Sequence, residues 1–173
     1  WCWFARRHFV CSVTMARGWY PKGCREALLA LAALVGIVVA PAAATERIVT
    51  DPRTGLAIEG LDPVSYFLGE PREGEASVEM TWRGAIFRFA NPGNRDAFRA
   101  HPERYTPLFG GHDPVSAARG FVARGDPLVA AIHGDRLLLF FSVDNRERFL
   151  ADREGILRLA TRNWPRLELG LTR

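Results

Sequence analysis

Gly60-Leu61-Asp62-Pro63-Val64-Ser65 is answered, 51 residues further on, by Gly111-His112-Asp113-Pro114-Val115-Ser116. Continued without gaps, the same offset aligns residues 60–105 with 111–156 and makes fourteen of 46 pairs identical, where ordinary residue frequencies give roughly three or four. The identities run through Gly69/Gly120, Gly74/Gly125, Val78/Val129, Phe89/Phe140, Asn94/Asn145, Arg95/Arg146, Phe98/Phe149, Ala100/Ala151 and Glu103/Glu154. The chain therefore reads as two copies of one unit.

Each copy has the same local logic. Asp62 and Asp113 suit a helix N-cap, with Pro63 and Pro114 at the first helical position. Val78, Met80 and Trp82 alternate with Glu79 and Thr81, and after Arg83-Gly84 the residues Ala85, Phe87 and Phe89 alternate again. That pattern predicts a hairpin with one buried face. Asn91-Pro92 then opens a helix through Phe98 that stops before Pro102. In the second copy the hairpin is expected at Leu128–Ile132 and Leu137–Phe141 around a His133-Gly134-Asp135 turn, followed by a helix capped at Ser142. Leu137-Leu138-Leu139-Phe140-Phe141 is apolar on both faces, so this strand should lie centrally with cover on two sides. A last helix, Asp152 to about Asn163 and ended by Trp164-Pro165, carries Ile156, Leu157 and Ala160 on one stripe. A unit of about 46 residues is too small for a secure core of its own. The expected fold is α+β: two tandem β-hairpin/helix units, pseudo-duplicated at offset 51, sharing one core and closed by a C-terminal helix. The first unit spans 60–110, the second with the last helix 111–173, and 45–59 is expected as an N-terminal strand segment.

Of the 173 residues, 48% are apolar and 24% charged, which excludes disordered and multi-pass membrane classes. The net charge of +4 resides in residues 1–44, which hold five basic residues and one acidic residue. Residues 45–173 balance 18 Arg against 18 acids, and leave no basic stripe for nucleic acid. Residues 1–44 also have the parts of a secretory signal: a basic stretch from Arg17 to Arg25, an apolar run Ala27 to Ala40, and Ala42-Ala43-Ala44. Cleavage after Ala44 by a Sec-type route is expected, so the membrane is met only transiently and the product is periplasmic or secreted. The run would reach about 21 Å as a helix, short of the roughly 30 Å hydrocarbon core. Arg6-Arg7 resembles a twin-arginine motif but lies far upstream of that run. Met15 stands just ahead of the basic stretch, which sets residues 1–14 outside the expected natural product.

The ordered series Asp62-Pro63-Val64-Ser65, Gly84, Phe87-Arg88-Phe89-Ala90-Asn91, Asn94, Phe98 and Pro102-Glu103-Arg104-Tyr105 resembles the YHS domain family, a small metal-associated module. Phe109-Gly110-Gly111 and Asn163-Trp164-Pro165 are similar to an exported two-unit subgroup. The resemblance covers most of residues 45–173 and implies a metal-linked setting. The pattern's three cysteine positions are Ser65, Ala90 and Asn94 in the first unit and Ser116, Phe141 and Asn145 in the second. The subgroup's reactive cysteine or selenocysteine position falls on Asp113.

All three cysteines, Cys2, Cys11 and Cys24, lie in the leader, so no disulfide, thiolate–zinc cluster or cysteine nucleophile is available in residues 45–173. There is no Gly-x-Ser-x-Gly elbow, phosphate loop or dinucleotide fingerprint. The candidate metal ligands are His112, Asp113 and His133. The repeat does not require a histidine at 112, since its counterpart is Leu61. A carboxylate favours hard divalent cations and an imidazole adds a neutral nitrogen. The plain alternatives are that Asp62 and Asp113 cap helices, His112 points to water, and His133 and His101 sit at a turn and a helix end. Trp82, Phe87, Phe89, Phe140, Phe141 and Trp164 read as core.

The expected function is that of an exported, non-enzymatic binding or interaction module that takes a protein or small ligand and has no obligatory cofactor. The alternatives are a carrier of a divalent metal ion on His112, Asp113 and His133, and a small enzyme acting through Asp113 and His112.

Overall fold

A computed structural model describes residues 47–171. The leader and its cleavage point after Ala44 lie outside the described residues. Strands β1 (Glu75–Trp82) and β2 (Ala85–Phe89) form the first antiparallel hairpin, with Met80 opposite Phe87. Arg83 and Gly84 take φ of 50° and 86°, the positive values that a two-residue hairpin turn requires. Asn91 caps α1 (Pro92–Ala100) by accepting from Asn94 N at 2.9 Å, and α2 (Pro102–Tyr105) adds one further turn.

After α3 (Pro114–Ala118) the pattern recurs. Strands β3 (Asp126–His133) and β4 (Arg136–Phe140) form the second hairpin, and Ser142 caps α4 (Val143–Ala151). Every residue pairing of the first hairpin has a counterpart 51 residues on, and both hairpins carry a bulge at the same place. Gly74 and Gly125 stand ahead of those bulges. An added Cβ there would lie 2.5 Å from the Arg88 carbonyl carbon and the Leu139 Cβ respectively, so only glycine fits. The local structures are not identical throughout: Ser65–Phe67 is a 3-10 turn where Pro114–Ala118 is α-helical. His133 is the last residue of β3, opposite Arg136, and the turn itself is Gly134-Asp135.

The two sheets stay separate, and β4 joins their cores through its side chains. Leu137 and Leu139 pack with Phe87, Phe89 and Phe98 of the first hairpin and α1. Leu138 and Phe140, on the opposite face, pack with Val115 and Phe149. All four β4 residues are at most 1% exposed, which accounts for an apolar run with no alternation. Phe141 departs from the expected core and is 63% exposed, because the strand ends at Phe140 and the chain turns outward to cap α4.

Two other expectations need correction. The last helix, α5 (Arg153–Glu168), runs through Pro165 instead of ending there. An internal proline removes a hydrogen bond and costs about 3 kcal/mol in a helix. Tertiary packing offsets this: Ala160, Trp164 and Leu167 pack around Phe109 and Ala117, and Asn163 Nδ2 donates to the Ala117 and Ala118 carbonyls at 3.0 and 2.9 Å. Those carbonyls close the end of α3, so α5 is tied to the second unit on both sides of the proline. The segment expected as an N-terminal strand makes only isolated bridges, Thr50 with Ala57 and Leu56 with Ile86. Asp51 reverses the chain there by accepting from Arg53 N and Thr54 N, both at 2.9 Å. These bonds, Thr54 first, hold its carboxyl below the usual range.

Candidate functional site

The stretch Gly110-Gly111-His112-Asp113 lies where the first unit passes into the second. Phe109, Gly110 and Gly111 have φ of 56°, 63° and 89°, and this left-handed run turns the chain sharply. An added Cβ on Gly110 would overlap the Arg47 carbonyl oxygen, while Gly110 O accepts from Val49 N at 2.8 Å. The close approach thus serves the protein's own N-terminal segment. Gly110→Ala combines a left-handed alanine with that overlap and is expected to cost about 2–3 kcal/mol, measured by urea denaturation. A loss under about 0.5 kcal/mol would show that this packing is dispensable.

His112 does not point to water. It is 1% exposed, with its ring 5.5 Å from that of Trp164, and its backbone bridges to Arg124. Asp113 is fully buried and caps α3, its Oδ2 accepting from Ser116 N at 2.9 Å, Ser116 Oγ at 2.5 Å and Asn145 Nδ2 at 2.7 Å. Its Oδ1 is buried without a hydrogen-bond partner among the described residues. Asp62, the counterpart, is equally buried and uses both oxygens. Oδ1 accepts from Val64 N at 2.8 Å, and Oδ2 from Ala90 N at 3.0 Å and Asn94 Nδ2 at 2.5 Å.

Asp113 is a cap and more, while Asp62 is not the helix cap expected of it, since Val64 precedes the Ser65–Phe67 turn with no side-chain cap; each aspartate has a longer reach. It ties the start of its unit to the helix that follows the hairpin 32 residues later. Five of the six positions that carry cysteine in the YHS pattern bond to these two residues: Ser65, Ala90 and Asn94 at Asp62, and Ser116 and Asn145 at Asp113. The sixth, Phe141, is exposed. Asp62, with both oxygens engaged by donors, is a structural anchor.

His133 stands apart from this arrangement. It is half-buried, with Nε2 3.4 Å from Glu154 Oε1 and its ring edge-on to Phe149. Among the described residues, no three His, Cys, Asp or Glu side chains gather as a metal-binding group. His112, Asp113 and His133 are accordingly not brought together as one ligand set. His101 is exposed and ends α1.

A cleft of about 960 Å³ opens between the β1–β2 turn, the Thr106–Gly110 linker, the start of β4 and the last turns of α5. Its apolar lining includes Ile48, Leu108, Phe109 and Trp164, and its charged lining Arg47, Arg83, Arg136, Glu103 and Glu168. Arg83 is engaged, with Nη2 2.7 Å from Glu103 Oε1. Arg136 is half-buried, its Nε is buried without a hydrogen-bond partner, and its guanidinium makes no ion pair among the described residues. Burial pushes the Arg136 guanidinium down from its ordinary range, with the charge of Glu103 partly opposing this. An arginine nonetheless stays protonated and offers only donors.

Compared with protein-family models, curated proteins and solved structures, the chain matches none.

The cleft itself carries no mark in the sequence. At an offset of 51 Arg136 aligns with Ala85, a cation opposite an apolar residue, just as His112 aligns with Leu61. That contrast was available as a signal. The aromatic wall was not, because Phe109 and Trp164 are 55 residues apart and meet only through the packing of α5, with rings 5.2 Å apart.

Proposed function

We propose that this chain is an exported, YHS-type binding protein, built from two copies of one unit and performing no catalytic step of its own, that holds a small ligand in the cleft beside Arg136. The observation that carries the reading is an unpaired, half-buried guanidinium in a cleft of about 960 Å³ with an aromatic wall. Ligand pockets reach this size and set polar groups against apolar and aromatic lining. The recurrence of hairpin register at an interval of 51 supports the two-copy origin. The leader's basic, apolar and small-residue stretches support export.

A second reading is divalent metal binding at Asp113, favoured by its open, buried Oδ1. Displacing Asn145 or Ser116 would be needed to complete a coordination shell, since a hard cation takes six or more oxygens.

Thermal unfolding of the protein, purified without a histidine tag, separates the two. A panel of small organic acids, alcohols and amines, run beside Ca²⁺, Mn²⁺ and Zn²⁺, should yield an organic stabiliser; a compound at one hundred times its Kd adds about 2.7 kcal/mol. Stabilisation by a metal alone would replace the first reading with the second. A flat response to every compound and metal would remove both.

A further inference from the structure

We propose that the cleft is specific for a small organic anion with an apolar body, its anionic head on Arg136 and its body against Trp164; this rests on the binding reading above. Three observations lead there. First, Arg136 is a half-buried cation of the cleft with no ion pair among the described residues, whereas Arg83 is committed to Glu103 at 2.7 Å. A half-buried cation left unpaired is costly, and it supplies donors without acceptors, so the complement is an anion with paired oxygens. Carboxylate and phosphate share that chemistry.

Second, the apolar side is preset. Phe109 is 6% exposed and backs Trp164 at 5.2 Å, while the buried His112 ring holds it from another side at 5.5 Å. An indole fixed in this way loses little freedom when a flat or branched hydrocarbon covers it. This also gives His112, foreign to the repeat, a role as a support for the wall. Third, burial already opposes the charge on Arg136 while Glu103 favours it. An arriving anion would reinforce the direction in which Glu103 acts and replace solvent lost to burial.

Calorimetric titration with benzoate, phenyl phosphate, benzyl alcohol and inorganic phosphate tests both halves of the assignment. Benzoate or phenyl phosphate should bind at least tenfold tighter than benzyl alcohol and than inorganic phosphate, and whichever of the two binds tighter identifies the head group. Arg136→Gln should weaken that anion tenfold or more and leave benzyl alcohol within twofold, while Arg136→Lys recovers part of the loss by restoring the charge without the planar fork. The thermal midpoints of both variants verify that they fold. Benzyl alcohol matching the tighter of the two anions, or Arg136→Gln binding that anion as wild type does, overturns the anion assignment and leaves the binding reading standing. Inorganic phosphate matching the tighter of the two overturns the apolar half. A wild-type protein that binds none of the four at millimolar concentration overturns the inference as a whole, and the broader panel of compounds then decides whether the binding reading falls with it.

Discussion

Replacing Phe98 with Ala is expected to destabilise the protein by about 3–5 kcal/mol, the usual cost of a large cavity in a packed core. Phe98 is completely buried, 4.9 Å from the Phe87 ring and 5.2 Å from that of Phe89. It stands in the cluster that also takes Leu137 and Leu139 of β4. Its loss therefore loosens α1 from the first hairpin and that hairpin from the strand on which both cores depend. Phe149→Ala should cost a comparable amount, since Phe149 is equally buried and meets Phe140 at 5.2 Å. With a total stability of about 5–15 kcal/mol for ordinary domains, either variant has little margin left. Urea denaturation should show a lower midpoint with an unchanged slope. Phe98→Leu, which keeps most of the volume, should recover more than half. A loss below about 1 kcal/mol for Phe98→Ala would contradict the packing described.

Asp62→Ala should be nearly as damaging, about 3–5 kcal/mol, although a helix-cap reading by itself sets the cost near 1 kcal/mol. Truncation takes the acceptor from three donors, the buried Val64 N and the partly buried Ala90 N and Asn94 Nδ2. Each buried donor left without a partner costs roughly 1–3 kcal/mol, relieved in part because a buried charge is removed as well. Asp113→Ala should cost less. Its three hydrogen bonds all fall on Oδ2, and one donor, the Ser116 hydroxyl, can turn to another acceptor. The discriminating comparison is Asp62→Asn, which keeps the volume and one acceptor and should lie between Asp62→Ala and wild type. If Asp62→Ala cost only as much as a lost cap, the anchoring role would be disproved.

The arginine-rich helix faces behave as charge balance suggests. Arg99 meets Asp96 at 2.7 Å and Arg148 meets Asp144 at 2.8 Å, both on exposed surface. Such pairs contribute little to stability, which leaves the weight on the aromatic cores and the two aspartates.

The sequence by itself determined the local grammar of this protein. Alternation in 78–89 and the turn at Arg83-Gly84 specified a hairpin, and Asn91 and Ser142 marked the helix starts, because these signals depend on a residue's own backbone and nearest neighbours. The doubly apolar stretch 137–141 announced a central strand for the same reason, since an element with no polar face must be covered twice, although Phe141 falls outside the strand. Three further features came only with tertiary structure. Pro165 stays inside α5 because contacts with α3 and Phe109 outweigh a lost hydrogen bond, and no local signal records them. Asp62 and Asp113 become anchors because Asn94 and Asn145 reach them from 32 residues away. The cleft exists because the packing of α5 places Trp164 on Phe109 beside a β4 arginine, three residues drawn from three different parts of the chain. Burial and long-range partners are properties of the assembled chain, and they decide which of its polar groups are spent on the fold and which remain for a ligand.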